Sequence, residues 1–182
     1  DIIVGEAGND TIHGNAGMHL GAYMKGGEIS VSGNTSDWIG AEMRGGLIRI
    51  AGDAGGQIGW ADRGSLSGMN GGTILIGGTA GIEIGMRMRR GIIAVKGRVR
   101  DFAGLQMKGG TIILMSGAEI RTGAWMVRGT IITLKPIALL PTFGEACTYD
   151  PVFLRLYANH LRPHGFDLPV EGGAYRRHAG DA

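Results

Sequence analysis

The sequence contains little cysteine, proline or aromatic residue, and its positive and negative charges nearly balance. The single cysteine, Cys147, excludes an internal disulfide framework and is typical of a reducing compartment, so we expect a cytoplasmic protein. Aromatic residues make up only 6% and the formal net charge is only +2, which argues against nucleic-acid binding. No apolar run approaches the roughly 18 residues of a membrane span. No signal peptide is visible, and we expect no association with a membrane.

Glycine, in contrast, is abundant at 36 of 182 residues. No strict Gly-X-Y run is present, and an apolar fraction of 43% argues against disorder. The first glycine-rich stretch, GEAGNDTIHG, is similar to one turn of a calcium-binding β-roll, in which Asp10 would ligate the ion. Nine residues further on, His19 takes the place of Asp10. Calcium requires about six to eight oxygen ligands, so the failure of this period argues against a calcium site.

A step of nineteen residues accounts for the glycines instead, which makes this a repeat protein. Seven extra residues, 62–68, interrupt the step once, and residues 5–23 match as a degenerate earlier unit. The sequence therefore starts inside a repeat, and we expect the natural protein to carry further residues before it. The regular units begin at Met24, Met43, Met69, Met88, Met107 and Met126.

Equal positions of successive units form columns of one residue type. Position 4 is glycine and position 6 is isoleucine in every regular unit, and position 8 is apolar except at Thr133. Apolar residues two apart predict a short strand with one buried face. A second apolar column is followed each time by a glycine, which suits a corner with positive φ. That column contains Ile39, Ile58, Ile84 and Ala103, and ends at the polar Thr122.

These columns predict an all-β fold, a right-handed parallel β-helix with coils of about nineteen residues over residues 1–134. Helical repeats are excluded because glycine costs about 1 kcal/mol at each helical site. Leucine-rich repeats are disfavoured, since neither a leucine framework nor an asparagine ladder is evident. Stacked coils would lie about 4.8 Å apart. Pro136 and Pro141 end the strand pattern, and residues 135–182 are predicted to form a docking or capping extension with a short helix from Pro151.

The search for catalytic or metal-binding residues is negative. His160 and His164 have the spacing of a helical metal pair, but Pro163 lies between them and no further ligand completes a site. Cys147 has no partner base in the sequence. We therefore predict no catalytic residue and no metal site on this chain.

The second position of each unit is more informative, because it is basic in four of the six regular units. If equal positions stack, neighbouring cations about 4.8 Å apart would repel by roughly 1 kcal/mol even in water. A solvated face is the simplest interpretation; an anion that neutralises the charges, either an acidic subunit surface or a polyanionic ligand, is the sharper one. With two arginines from the third position, the predicted basic strip consists of Lys25, Arg44, Arg89, Arg90, Lys108 and Arg128.

The units M-[KR]-G-G-x-I-x-[VI] resemble the family of the third, β-helical subunit of formylmethanofuran dehydrogenase and the related C-terminal β-helix of the glutamate synthase large subunit. The segments ALLPTF, PVFLRLYANHL, GFDLP and YRRHAGD are similar to the corresponding third subunit of the bacterial formyltransferase/hydrolase complex. The resemblance covers almost the whole sequence. A family member would carry more sequence at both ends.

The resemblance implies a non-catalytic scaffold subunit in one-carbon metabolism. In such a complex, a formyl group moves between tetrahydromethanopterin and a methanofuran-type carrier, and formate is released. The implied partners are three other subunits: an amidohydrolase-like subunit, a formyltransferase and a further subunit, with zinc in one of these partners. No cofactor would be bound by this chain alone. The carrier has a glutamate-rich tail, which the basic strip could face.

Three alternatives stay open at this point. The chain could be the equivalent subunit of a tungsten or molybdenum formylmethanofuran dehydrogenase, or a β-helix domain of glutamate synthase. It could also be a β-helical polysaccharide lyase or hydrolase, which would require clustered carboxylates on one face. The aligned acids that we find, such as Asp37 and Asp101, are scattered.

Overall fold

A seven-stranded parallel sheet runs through the repeats of the computed structural model, which describes residues 8–61, 64–169 and 175–180. The strands follow one another in sequence order, and each pairs with the strand of the next coil, as Ile29 does with Ile48. This confirms the parallel β-helix and, for residues 8–23, the degenerate early coil; residues 5–7 of that unit lie outside the described residues. The strands are β1 (Asn9–Ile12), β2 (Glu28–Val31), β3 (Arg44–Ile50), β4 (Asn70–Ile76), β5 (Arg90–Val95), β6 (Lys108–Leu114) and β7 (Arg128–Thr133).

The core of the solenoid is a stack of the predicted apolar columns. A second row of single parallel bridges links most neighbouring coils at position 12, as between Ala80 and Val99. Burying such columns stabilises the fold by about 25 cal/mol for each Å² of apolar surface that is removed from water. The isoleucines of position 6 are fully buried from Ile29 to Ile112, and so are the methionines that begin the units from Met43 to Met107.

The methionine column and the glycine column of position 4 fit into each other. The methyl group of Met43 lies 2.7 Å from where a Cβ atom of Gly72 in the next coil would stand. Gly72 also has φ +88°, which side chains rarely adopt. The same arrangement recurs at Gly46, whose absent Cβ would lie 2.7 Å from the methyl of Met24. Glycine is therefore required at position 4 by its neighbour as well as by its own backbone.

The turn that closes each coil contains two columns of non-glycine residues in the left-handed conformation. They occupy positions 15 and 19, on either side of the positive-φ glycine at position 17. Such residues are uncommon outside glycine, asparagine and aspartate, and the sequence patterns did not predict them. The position-15 column comprises His19, Trp38, Gln57, Glu83, Phe102 and Arg121; the position-19 column comprises Tyr23, Glu42, Arg87, Gln106 and Trp125.

A short amide ladder runs along position 11, which corrects the expectation that no such ladder is present. The Asn15 side-chain oxygen accepts a hydrogen bond from the Asn34 backbone amide at 2.8 Å. The Asn34 side-chain oxygen accepts one from the Asp53 backbone amide, also at 2.8 Å. Asp53 in turn accepts the amide and the hydroxyl of Thr79, at 2.7 and 2.9 Å. These hydrogen bonds hold the pKa of Asp53 below its ordinary value, with the Thr79 amide as the main cause.

The seven-residue insertion leaves the coil beside it intact. In the regular units the position-1 amide donates to the position-17 carbonyl, as Met43 does to Gly40 at 3.1 Å. Met69 makes the same bond to Gly59 at 2.8 Å, across the insertion. The turn therefore closes across the insertion, of which the structure describes residues 64–68, and β3 pairs with β4 in the expected register, Ile48 beside Ile74.

The structure separates Asp1–Leu140 from a second compact unit, Pro141–Ala182. The second unit contains β8 (Phe143–Tyr149), α1 (Leu154–Leu161), a 3₁₀ turn at Arg162–His164 and β9 (Tyr175–Gly180), with β8 and β9 antiparallel. The predicted helix is present but begins three residues after Pro151, and it buries Leu154, Ala158 and Leu161. The β8–β9 pair was not predicted. Within the described part of the chain, no helix has both the length and the apolar character needed to span a membrane.

Candidate functional site

The basic strip lies where the strands of the main sheet begin. All six side chains are exposed. Lys25 precedes β2, whereas Arg44, Arg90, Lys108 and Arg128 each open a strand. The strip therefore forms part of the outer surface over the sheet edge of several successive coils, as the repeat predicts.

The stacking within the strip differs from the prediction that equal positions lie above one another. Register shifts place Asn70 opposite Arg90 and Lys108 opposite Arg128, so position 2 faces position 3 of the next coil. The cause is a pair of consecutive amides that share one carbonyl. Met107 oxygen accepts from Val127 at 2.9 Å and from Arg128 at 3.3 Å. The bulge brings Arg90 and Arg128 into the strip itself.

Positive charge in the strip is not neutralised within the part of the chain that the structure describes. The ion pairs found there involve other arginines, such as Arg49 with Glu28 and Arg121 with Asp101, and none involves a strip residue. Lys108 Nζ donates a hydrogen bond to the Leu66 carbonyl at 3.3 Å. A neutral carbonyl satisfies this donor but does not neutralise the positive charge of the lysine. The strip can therefore attract an anionic surface or polymer.

A small open cavity of about 360 Å³ adjoins the strip at its C-terminal end. It is lined by Gln106, Lys108, Trp125 and Val127. Trp125 and Val127 are 74% and 69% exposed, which is unusual for apolar side chains of this size. At this end the strip contains apolar as well as charged side chains. The sequence did not predict this combination, because Val127 is only an apolar exception in a mostly basic column.

A second row of side chains follows position 15 of the turns. His19 stacks on Trp38 at 5.4 Å between ring centroids, and Trp38 stacks on Trp60 at 4.4 Å. Further along the same row, Gln57 donates to Glu83 at 3.0 Å, and the Arg121 guanidinium lies 4.1 Å from the centre of the Phe102 ring. Each side chain finds its partner one coil away, so this row stabilises the stack of coils.

The scattered acids serve local structure. Asp37 lines an open groove of about 740 Å³, but its carboxylate accepts the Gly56 amide at 2.6 Å. Asp101 accepts the Phe102 amide at 2.8 Å and pairs with Arg121. Each of these carboxylates therefore has a local hydrogen-bond or ion-pair partner within the fold.

The remaining candidates do not come together. His160 and His164 make an edge contact with centroids 6.3 Å apart, and Cys147 is exposed on β8 opposite Arg177. Across residues 8–61, 64–169 and 175–180, no three His, Cys, Asp or Glu side chains are grouped so that they could hold a metal ion.

Comparisons with known proteins follow the same repeats. A family model described as the GXGXG motif matches residues 6–142. Comparison with curated proteins gives no match. Among solved structures, the chain is similar to one in the X-ray crystal structure of the formyltransferase/hydrolase complex (FhcABCD) from Methylorubrum extorquens in complex with methylofuran. The two chains share 37% identity with a TM-score of 0.85; the match covers 95% of this chain and spans 65% of that one.

Proposed function

Because the chain belongs to the family of proteins that contain the GXGXG motif, we propose that it is the β-helical subunit of a formyltransferase/hydrolase complex. The observation that carries the proposal is the 37% identity, over 95% of the chain, to a chain of such a complex. The similarity includes the second unit and is not limited to the glycine columns, which favours this context over a glutamate synthase domain. It also favours the hydrolase context over a tungsten or molybdenum dehydrogenase.

The proposed complex moves a formyl group between tetrahydromethanopterin and a methanofuran-type carrier and releases formate in the cytoplasm. Its other members would be an amidohydrolase-like subunit, a formyltransferase and a further subunit, one of which would hold zinc. This chain would be a scaffold without catalytic residues. The hydrogen bonds that occupy Asp37 and Asp101 support that role, because they leave these carboxylates committed to the fold.

The basic strip has a defined part in this proposal: it faces either the glutamate-rich tail of the carrier or an acidic surface of a partner subunit. Six exposed cations without an ion pair among the described residues would be neutralised by such an anion. A polymer of carboxylates matches a row of charges spaced by one coil, about 4.8 Å. Attraction of this kind weakens with salt, because exposed charges are screened within about 8 Å at physiological ionic strength.

Neutralising the strip tests this role. Replacing Lys25, Arg44, Arg89 and Lys108 together by glutamine should weaken binding of the carrier or of the purified partner subunits at least tenfold at low salt, because four favourable charge contacts are lost. The salt dependence of binding should become flatter as well. The measurement is a titration by calorimetry at two salt concentrations.

A matched control removes four positive charges elsewhere on the solenoid, at exposed Arg49, Arg98, Arg100 and Lys135. This variant has the same net charge as the strip variant and should bind with nearly unchanged affinity. Unchanged binding by the strip variant would show that the strip is only a solvated face. Equal weakening in both variants would show that net charge alone, without a specific site, attracts the partner.

A further inference from the structure

We infer that the surface around Trp125 is a docking site for a partner subunit, which inserts an apolar side chain into the cavity and places a carboxylate beside Lys108 and Arg128. The inference rests on the proposed function and extends it by naming the contact surface. The juxtaposition that carries it is an open cavity lined by Trp125, Val127 and Lys108, with Arg128 opposite Lys108 in the strand register.

Three large apolar side chains in or near this surface are mostly exposed. Trp125 is 74% exposed, Val127 69% and Leu66 66%. Scattered apolar residues on a surface need no explanation, but a tryptophan that lines a cavity with a second exposed apolar side chain marks an interaction site. Tryptophan in a pocket is also among the residues that most often dominate the energy of protein interfaces.

The insertion supports the same conclusion independently. It breaks an otherwise regular repeat, and its one large apolar side chain, Leu66, is exposed and not buried. The backbone at residues 65 and 66 is nevertheless held in place: Arg87 donates to the Ser65 carbonyl at 3.1 Å, and Lys108 donates to the Leu66 carbonyl at 3.3 Å. Lys108 also lines the cavity, so the loop that presents Leu66 is anchored to the cavity wall.

Charge defines the chemistry of the occupant. Lys108 and Arg128 lie opposite each other on neighbouring strands, and neither has an acidic partner among the described residues. A purely apolar partner would leave both cations partly desolvated and unpaired, at a cost in binding. A partner segment with an aromatic or branched apolar side chain and a nearby aspartate or glutamate satisfies both parts of the surface.

A partner subunit fits better than a second copy of this chain. A copy would bring its own Lys108 and Arg128 to the symmetric interface, where like charges repel. A polyglutamate tail would pair with the cations but would leave Trp125 and Val127 uncovered. We therefore assign the site to a different protein chain.

The test compares full-length chains, each mixed with the other subunits of the complex, by mass photometry and by a binding titration. The double variant Trp125→Ala with Val127→Ser should raise the Kd at least 30-fold, in the range of interface hot spots. Trp125→Phe should retain most of the affinity, because it keeps an aromatic ring in the cavity. Lys108→Glu should also raise the Kd and reduce the dependence of binding on salt.

The control is Ile120→Ser, which changes an exposed apolar residue, 56% exposed, on the same coil but at a different column. It should alter the Kd less than threefold. Circular dichroism and thermal unfolding of each variant confirm folding, which exposed substitutions should preserve.

The outcomes separate this inference from the proposed function. If the wild-type chain binds the other subunits and the Trp125/Val127 variant binds equally well, the docking site is wrong while complex membership stands. If the variant loses self-association of the isolated chain instead, the occupant is a second copy, and the inference is again wrong. If the wild-type chain binds no subunit at all, both proposals fail.

Discussion

At the scale of single residues, the solenoid depends on glycines whose missing side chains are replaced by atoms of the neighbouring coil. The Met43 methyl group occupies the space of a Gly72 side chain, and the same relation recurs along the stack. Two physical reasons for glycine, positive φ and close packing, therefore act at one position. A substitution series can separate them, because the chain also offers a positive-φ glycine in open space.

Replacing Gly72 by alanine should lower the free energy of unfolding by about 1–2 kcal/mol for the left-handed backbone. Crowding against Met43 should add about 1–3 kcal/mol. Gly14→Ala is the control, since Gly14 has φ +106° with no atom near the absent Cβ, and it should show the backbone cost alone. Denaturant titration of both variants measures the difference. Equal losses would mean that the Met43 methyl moves aside without cost.

The position-11 ladder predicts an acid-sensitive contribution to stability from Asp53. Its pKa in the folded protein lies below the ordinary value of 3.8, since the Thr79 amide and hydroxyl donate to the carboxylate. The ionised Asp53 carboxylate therefore stabilises the folded state at pH values above 3.8. This stabilisation is lost as the pH falls through the lower pKa of the folded protein.

Asp53→Asn should keep the fold near neutral pH, because Asn34 already fills the same role one coil earlier. Its stability should fall less steeply than that of the wild type below about pH 4. Thermal unfolding from about pH 7 to about pH 2.5 checks this, with Glu145→Gln, an exposed residue of the second unit, as a control. Parallel curves for wild type and Asp53→Asn would contradict the assigned role.

At the scale of elements, the coil is the unit that the sequence specifies, and the insertion is an addition to it. Gly59 and Met69 keep the hydrogen bond that closes every regular turn, although nine residues separate them. The insertion therefore adds exposed surface to the turn, whereas β3 and β4 pair in the same register as the other coils.

Deleting residues 62–68 should therefore give a folded protein that keeps the parallel strands of the solenoid. Ala61 would have to adopt the left-handed conformation of the position-19 column, at about 1–2 kcal/mol. A shorter loop offsets part of this cost by lowering the closure entropy. Far-UV circular dichroism and the unfolding midpoint measure the outcome. A loss of cooperative unfolding would show that the insertion is part of the core.

Much of this element structure could be predicted from the sequence, because columns such as Ile29, Ile48 and Ile74 repeat at a fixed step and force one stacking arrangement. The bulge that shifts Arg90 beside Asn70 could not, since it depends on two amides that share one carbonyl. The β8–β9 pair was missed for a different reason. Most of β8 is exposed, so it lacks the alternation of buried and exposed residues that reveals a strand.

The candidate site shows the same division. The exposed cations at positions 2 and 3 were visible as a column, because a repeat places equal positions on one face. The cavity at Trp125 was not visible, since it combines two turns and a strand start, and exposure of a tryptophan cannot be read from its residue type. The asparagine ladder was overlooked because Asp53 and Thr79 interrupt the run of asparagines after two coils.

At the scale of the whole molecule, the described part of the solenoid is a stack of coils that carries the charged strip and the mixed patch at Trp125. Both surfaces are exposed, and both contain groups that a partner would complete, which is what we expect of a scaffold. We therefore propose that this chain acts as a non-catalytic subunit of a formyltransferase/hydrolase complex.

Native mass spectrometry of the protein isolated gently from its own cells tests that claim most directly. We expect three different co-purifying subunits, one of which carries zinc. A chain that is isolated alone, or as part of a very long single polypeptide, would contradict the claim. The second of these results would point instead to a glutamate synthase domain.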